Sequence, residues 1–309
     1  MHMRFGYGVR LFLAMVVAQV PVTPVPPKPN GSVVAGITNA EGLRLSIVEE
    51  DFDPALRVLL PWQSSSKAEM VVLFPEHVTA KKKGAAEAEH LYLFRPGQQN
   101  PRPTWRQKGS SYEYERDFSG DIHMLARATL EDDGVLFHYE FENRSDVDYA
   151  MITAVTDPRM TGVFHDARLE RTYVHRKDGF GLLAADTPER LTMAMKEWLP
   201  VRYLDSYTWP IPAQRVERRA DGITYYNASQ PVDEPMIATV SNDQKWVAAS
   251  FTKMTGNVWS NPELTCQHVD PERPLPPRAK AGWDVKLLVF EGTLDQALEK
   301  VKAQRPWLQ

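Results

Sequence analysis

Short runs in which apolar and polar residues alternate recur along most of this chain. Leu43, Leu45 and Ile47 share one side of an extended segment, as do Val135, Phe137, Tyr139 and Phe141, and again Trp283, Val285, Leu287 and Val289. A period of two marks a strand with one buried face, because successive side chains leave a pleated backbone on opposite sides. Met70 to Phe74, Leu91 to Phe94, Met151 to Val155 and Trp246 to Phe251 are more continuously apolar and read as strands covered on both faces. Asp132-Asp133-Gly134, Asp178-Gly179 and Asp221-Gly222 supply turn chemistry between such runs.

The helical period stands out once. Leu294, Ala297, Leu298 and Val301 fall on one face, Thr293 with Gln296 three residues on forms a capping pair, and Pro306 bars continuation. Glu299, Lys300 and Lys302 make up its polar, solvent-facing side. Pro188 to Leu191 predicts a single helical turn, and no internal repeat of fixed period is present, which argues against propellers and solenoids. Many strands and one helix predict an all-β fold, an antiparallel β-supersandwich with one C-terminal helix. The expected organisation is a single β-sandwich domain over 32–309, with the helix at 293–304.

The chain begins differently. Arg4 and Arg10 precede the apolar run Leu11 to Ala18, which is too short to span a bilayer and has the form of a secretory signal peptide over 1–18. Prolines 21, 24, 26, 27 and 29 make 19–31 a stiff, extended spacer. The expected location is outside the cytoplasm, periplasmic or extracellular. Cys266 is the sole cysteine, so no intramolecular disulfide can form and stability must come from ordinary burial. A net charge of −4 and a pI near 6.1 give no general attraction to phosphate backbones, so nucleic acid is not an expected partner. Lys81-Lys82-Lys83 before Gly84 reads as a solvated turn. No later apolar run approaches bilayer length, so no stable membrane span is expected once the signal is removed; oligomeric state is left open.

Two segments carry a family resemblance. Gly134-Val135-Leu136-Phe137-His138-Tyr139-Glu140-Phe141-Glu142-Asn143-Arg144-Ser145-Asp146 resembles the strand, asparagine and Ser-Asp turn of galactose-mutarotase-like supersandwich proteins. Pro276 to Gly282, leading into Trp283 to Phe290, is similar to the proline-led turn and last long strand of the same superfamily. The resemblance implies a carbohydrate-handling group of epimerases, lyase and hydrolase domains and binding modules, without choosing among them.

Candidate chemistry concentrates in Trp259 to Pro271, where an aromatic ring, an amide, two carboxylates, a thiol and an imidazole lie among prolines that forbid regular structure. His268 is the foremost candidate for proton exchange at a sugar ring, with Asn261 and Asp270 as partners for hydroxyls. The equally plain alternative is a loop histidine that satisfies nearby carbonyls. A second cluster runs from Glu197 to Pro210, where Trp198, Arg202, Tyr203, Asp205 and Trp209 interleave rings and charges in the manner of a carbohydrate groove, or else serve as core residues. Mutarotase-like epimerases pair a histidine acid with a glutamate base, so the resemblance implies that His268 or His123 faces Glu197. His123 and His138 lie on the polar sides of their strands.

No cofactor or metal site is expected. His165-Asp166 and His175 are too widely spaced for zinc motifs, and Cys266 with His268 lacks a second pair. A calcium site built from loop carboxylates needs no linear motif and stays open. The sequence has no Gly-x-Ser-x-Gly elbow, Walker loop or dinucleotide fingerprint. Three functions remain: acid–base chemistry of the epimerase or uronic-acid lyase type through His268 with a carboxylate partner, a non-catalytic carbohydrate-binding module, or an envelope structural or assembly protein.

Overall fold

The computed structural model of the chain describes residues 33–50, 52–63, 70–99, 101–192, 201–220 and 222–309. Its strands are, in chain order, β1 (Val33–Thr38), β2 (Arg44–Glu50), β3 (Asp53–Leu59), β4 (Met70–Lys82), β5 (Glu89–Leu91), β6 (Arg106–Lys108), β7 (Ser111–Phe118), β8 (Ile122–Glu131), β9 (Gly134–Asn143) and β10 (Tyr149–Arg159). They continue with β11 (Thr172–Arg176), β12 (Gly179–Leu182), β13 (Val201–Ser206), β14 (Val216–Arg218), β15 (Thr224–Asn227), β16 (Met236–Val240), β17 (Trp246–Thr252), β18 (Asn257–Ser260), β19 (Arg273–Leu275) and β20 (Lys280–Glu291). Among the described residues one α-helix, α1 (Leu294–Gln304), follows.

Among the described residues these strands form three sheets. A seven-stranded sheet has the order β1-β2-β3-β4-β10-β19, with β5 also paired to β4; a nine-stranded sheet has the order β12-β11-β16-β17-β20-β9-β8-β7-β6; and a smaller sheet has the order β14-β15-β13-β18. Pairing is antiparallel except between β13 and β15. This is the all-β sandwich with a C-terminal helix that the alternating pattern predicts. No helix among the described residues is long and apolar enough to cross a membrane.

The main core lies between the two large sheets. Phe137, Tyr139, Phe141, Trp283, Val285 and Leu287 face Phe74, Val78, Ile152 and Ala154, all at 1% exposure or less. Phe74 meets Phe137 and Tyr139 at ring-centroid distances of 5.0 and 4.8 Å. Two buried tyrosine hydroxyls find partners across the core: Tyr114 donates to the Phe74 carbonyl at 2.6 Å, and Tyr139 bonds Thr156 Oγ1 at 2.9 Å.

The nine-stranded sheet is covered on its other face by α1, whose Ala297 and Val301 pack on Met236, Val247, Ala249, Phe251 and Leu288. Hence β20 is buried on both sides, although only one side showed in its alternating pattern. Thr293 and Gln296 form the reciprocal capping box. Lys300, placed on the solvent side by sequence, reaches back to Asp133 in the β8–β9 turn at 2.9 Å, because a lysine stem is long enough to lie along the sheet while its ammonium finds a carboxylate. Leu93 and Phe94 enter the core without strand pairing, and β5 ends at Leu91.

Candidate functional site

The segment after β18 joins the three sheets. Asn261 turns the chain, its Oδ1 accepting from the Leu264 N–H at 2.8 Å, and Thr265 takes a left-handed φ of 49°. The chain then returns beside β18, where Trp259 and His268 exchange both backbone hydrogen bonds at 3.1 Å. On its other edge the Gln267 N–H donates to the Pro158 carbonyl of β10 at 3.2 Å. The Gln267 side chain accepts from the N–H and hydroxyl of Ser250 and donates to Thr239 Oγ1 and the Ala248 carbonyl, which anchors the segment to the nine-stranded sheet. Gln267 is spent on structure. Cys266 and His268, one residue to either side, therefore project together to the opposite face.

Opposite them, β4 and β10 part from regular pairing. Val155 pairs with His77 and Asp157 with Leu73, so Phe74, Pro75 and Glu76 stand against the single Thr156. Proline cannot donate to a ladder and sits in central strands only at such bulges. The Thr156 N–H turns instead to Asp270 Oδ1 at 2.9 Å. The bulge also lifts Glu76 out beside His77 on the outer face of the seven-stranded sheet.

A line of alternating charge follows. His77 Nδ1 lies 3.4 Å from Glu76 Oε2, and Glu76 Oε1 lies 3.6 Å from Arg159 Nη2. Arg159 Nε donates to Asp157 Oδ2 at 2.6 Å, Asp157 Oδ1 is 3.5 Å from His268 Nε2, and His268 Nδ1 is 3.1 Å from Asp270 Oδ2. The line begins at side chains roughly one-third exposed, His77 and Glu76, and runs inward to His268, 1% exposed, before ending at Asp270. His90 joins at the surface with its ring 5.3 Å from that of His77.

Burial alone would disfavour the charged imidazole of His268, but the Cys266 sulfur and the Asp270 carboxylate outweigh it and raise its proton affinity well above the ordinary histidine range. Burial likewise opposes ionisation of Glu76, yet the hydrogen bond from His77 and the charges of His268, His77 and Arg159 bring its pKa down to about 2. Asp157 is pushed upward by burial and by Glu76, against the pull of His268 and Arg159. Glu272 is pushed up to about 7 by burial and by the neighbouring Asp270. Carboxyls within one region are thus set apart in acidity.

The residues singled out by sequence divide into several places. Asp270 holds His268, and Asn261 Nδ2 donates not to either of them but to Cys266 Sγ, at 2.8 Å. His268 is covered by Trp259, the rings stacked at 3.7 Å with 5° between planes, and Arg202 lies over the same indole at 5.8 Å. Tyr203 projects from the other face of β13, 2% exposed and stacked on Tyr226. It lines a small cavity of about 70 Å³ with Leu183, Asp186 and Asn227, away from His268. Asp205 is fully buried in an ion pair with Arg176. Trp209 lies so close over Gly256 that a Cβ there would come within 2.2 Å of the indole. His123 is on β8 with Asp117 at 2.8 Å; Asp117 lines a separate polar recess of about 440 Å³ with Arg102, Glu115 and Arg116. Glu197 and Trp198 lie outside the described residues.

Sequence reasoning passed over Glu76, His77, Asp157, Arg159 and Glu272. One signal was available: Pro75-Glu76-His77 interrupts an apolar strand, and a proline there implies a bulge. The same arrangement brings Asp157 to Cys266 and His268, so that one donor atom from each lies within 4.8 Å of the others.

No family model matches the sequence, and no curated protein matches it. Solved structures similar to this chain include a galactose mutarotase related enzyme of Lactobacillus acidophilus, at 12% identity and TM-score 0.46, covering 84% of this chain and 98% of that one. A galactose mutarotase-like protein of Clostridium acetobutylicum matches at 9% identity and TM-score 0.42, over 82% of this chain and 94% of that one. An α-N-acetylgalactosaminidase of Bifidobacterium bifidum, in complex with GalNAc, matches at 10% identity and TM-score 0.46, over 87% of this chain and 38% of that one. The chain thus resembles galactose-mutarotase-like structures, as the two sequence segments suggested.

Proposed function

We propose that this protein is an exported carbohydrate-acting enzyme that moves protons at a sugar ring on the outer face of the seven-stranded sheet. The observation that carries this reading is the partly exposed Glu76–His77 pair, 3.4 Å apart, on one side of β10, with Glu272 on the other side. β4 and β19 both pair with β10, so the two carboxyl-bearing segments are separated by two strand spacings, roughly 10 Å between backbones, which leaves room for a pyranose between them. Asp270 and Glu272, two positions apart in extended chain, project to the same side.

The roles follow from this placement. Glu272 keeps its proton near neutrality and suits the acid that protonates the ring oxygen of a hemiacetal. His77, oriented by the ionised Glu76, takes the proton of the anomeric hydroxyl. The ring opens to the aldehyde, and reclosure on either face with the protons returned exchanges the anomers. His268 is buried and takes no part in the transfer; through its Nδ1 it holds Asp270 beneath the reacting groups. Export belongs to the same reading and is supported by the basic, then apolar start at Arg4 to Ala18.

The test is anomer-exchange NMR of the purified protein with a panel of hexoses and uronic acids, beside a glycan array. Interconversion above the uncatalysed rate is expected, falling about a hundredfold or more in His77→Ala and in Glu272→Gln while glycan binding persists. Glycan binding without turnover on any sugar would refute the enzyme in favour of a binding module. Neither signal would leave the envelope-assembly reading.

A further inference from the structure

We infer that Asp157, Cys266 and His268 form a binding site for one divalent transition-metal ion, of the zinc type, beneath the outer face of the seven-stranded sheet. The three side chains offer a carboxylate oxygen, a thiol sulfur and a ring nitrogen, and these atoms lie within 4.8 Å of one another. All three residues are at 2% exposure or less. His268 Nε2 and Asp157 Oδ1 are 3.5 Å apart, which is poor for a hydrogen bond. It suits two neighbouring ligands: bonds of about 2.0–2.3 Å at tetrahedral angles place ligand atoms roughly 3.3–3.7 Å from each other.

An independent observation points to a missing partner. Asp157 Oδ1 is buried and accepts no hydrogen bond, and it is aimed at the ring nitrogen and sulfur of the same cluster. A buried carboxylate oxygen left in that condition is expensive unless something cationic meets it. Thiolate and carboxylate together bring two negative charges, which a divalent cation neutralises, the thiol proton and the His268 Nε2 proton leaving to solvent as the metal binds.

Each donor is also held from behind. Asp270 Oδ2 engages His268 Nδ1 at 3.1 Å, which keeps the Nδ1 proton in place and makes Nε2 the nitrogen that gives up its proton to ligate. Asn261 Nδ2 donates to Cys266 Sγ at 2.8 Å, and Arg159 Nε donates to Asp157 Oδ2 at 2.6 Å. A mixed sulfur, nitrogen and oxygen set favours zinc, cobalt or iron over magnesium or calcium. Three protein ligands leave a further coordination position, the pattern of an open site. The donors lie below the Glu76–His77–Glu272 rim and include none of its members, so this inference stands or falls independently of the proton-transfer reading.

The full chain, freed of metal with a chelator, is titrated with Co²⁺ and then challenged with Zn²⁺. Because Cys266 is the sole cysteine, a thiolate-to-cobalt ultraviolet band can come only from this site. The expected result is such a band saturating at one equivalent and displaced by Zn²⁺, with Co²⁺ affinity reduced a hundredfold or more in Cys266→Ser and Asp157→Asn and about tenfold in Asn261→Ala. Absence of the band in the wild-type protein overturns the inference, whatever the variants do. So does wild-type affinity in Cys266→Ser or Asp157→Asn variants that retain the wild-type circular dichroism.

Discussion

Replacing Glu272 with glutamine should change how stability depends on pH. In the folded chain the Glu272 carboxyl is pushed from an ordinary 4.5 up to about 7, by burial and by Asp270. A group that binds its proton more tightly when folded stabilises the fold fully below its unfolded pKa, and that contribution is lost as pH rises through the folded value. The window is therefore about pH 4.5 to just above 7. At roughly 1.36 kcal/mol per unit the full shift is worth about 3 kcal/mol, which partial exposure reduces to about 2–3 kcal/mol. Glutamine keeps the shape and cannot ionise. Urea unfolding at about pH 4 and about pH 8.5, followed by tryptophan fluorescence, should find wild type and Glu272→Gln nearly equal at the lower pH. The variant should be more stable by about 2–3 kcal/mol at the higher pH. A stability difference that is the same at both pH values would refute the placement of Glu272 as a carboxyl held protonated beside Asp270.

Two further perturbations test the surrounding fold. Thr293→Ala removes the hydroxyl that accepts from the Gln296 N–H and opens the capping box, which should lower stability by about 1 kcal/mol in chemical denaturation. Arg176→Met strips the partner from the fully buried Asp205, whose pKa is already pushed up to about 7 by burial against the pull of Arg176. The loss should be about 3–5 kcal/mol at about pH 8.5 and smaller at about pH 5, where Asp205 can take a proton instead of remaining an unpaired buried charge; equal losses at both would contradict the assignment.

Much of the scaffold was legible because it rests on local pattern. The positions of β2, β9 and β20 that face the core between the large sheets follow from alternation, and the cap of α1 follows from Thr293 and Gln296 lying three residues apart, since a pleat or a helical turn fixes where neighbouring side chains point. The pairing of His268 with Asp270 was legible for the same reason, as these residues are two positions apart in extended chain. Burial was not. His268 and Asp205 look like available chemistry in sequence, and only the packing of Trp259 over one and Arg176 against the other encloses them.

The sequence by itself determined the strands, their turns and the helix, together with an acidic, disulfide-free composition that must hold its fold by burial. Tertiary structure alone decided which distant groups meet: the β4 bulge that sets Glu76 and His77 on the outer face, the line through Arg159 to Asp157, and the arrival of Asp157 beside Cys266 and His268. Periodicity reports on a residue's own backbone over a few neighbours. The register between strands far apart in the chain is set by how whole faces pack, and no local pattern encodes that.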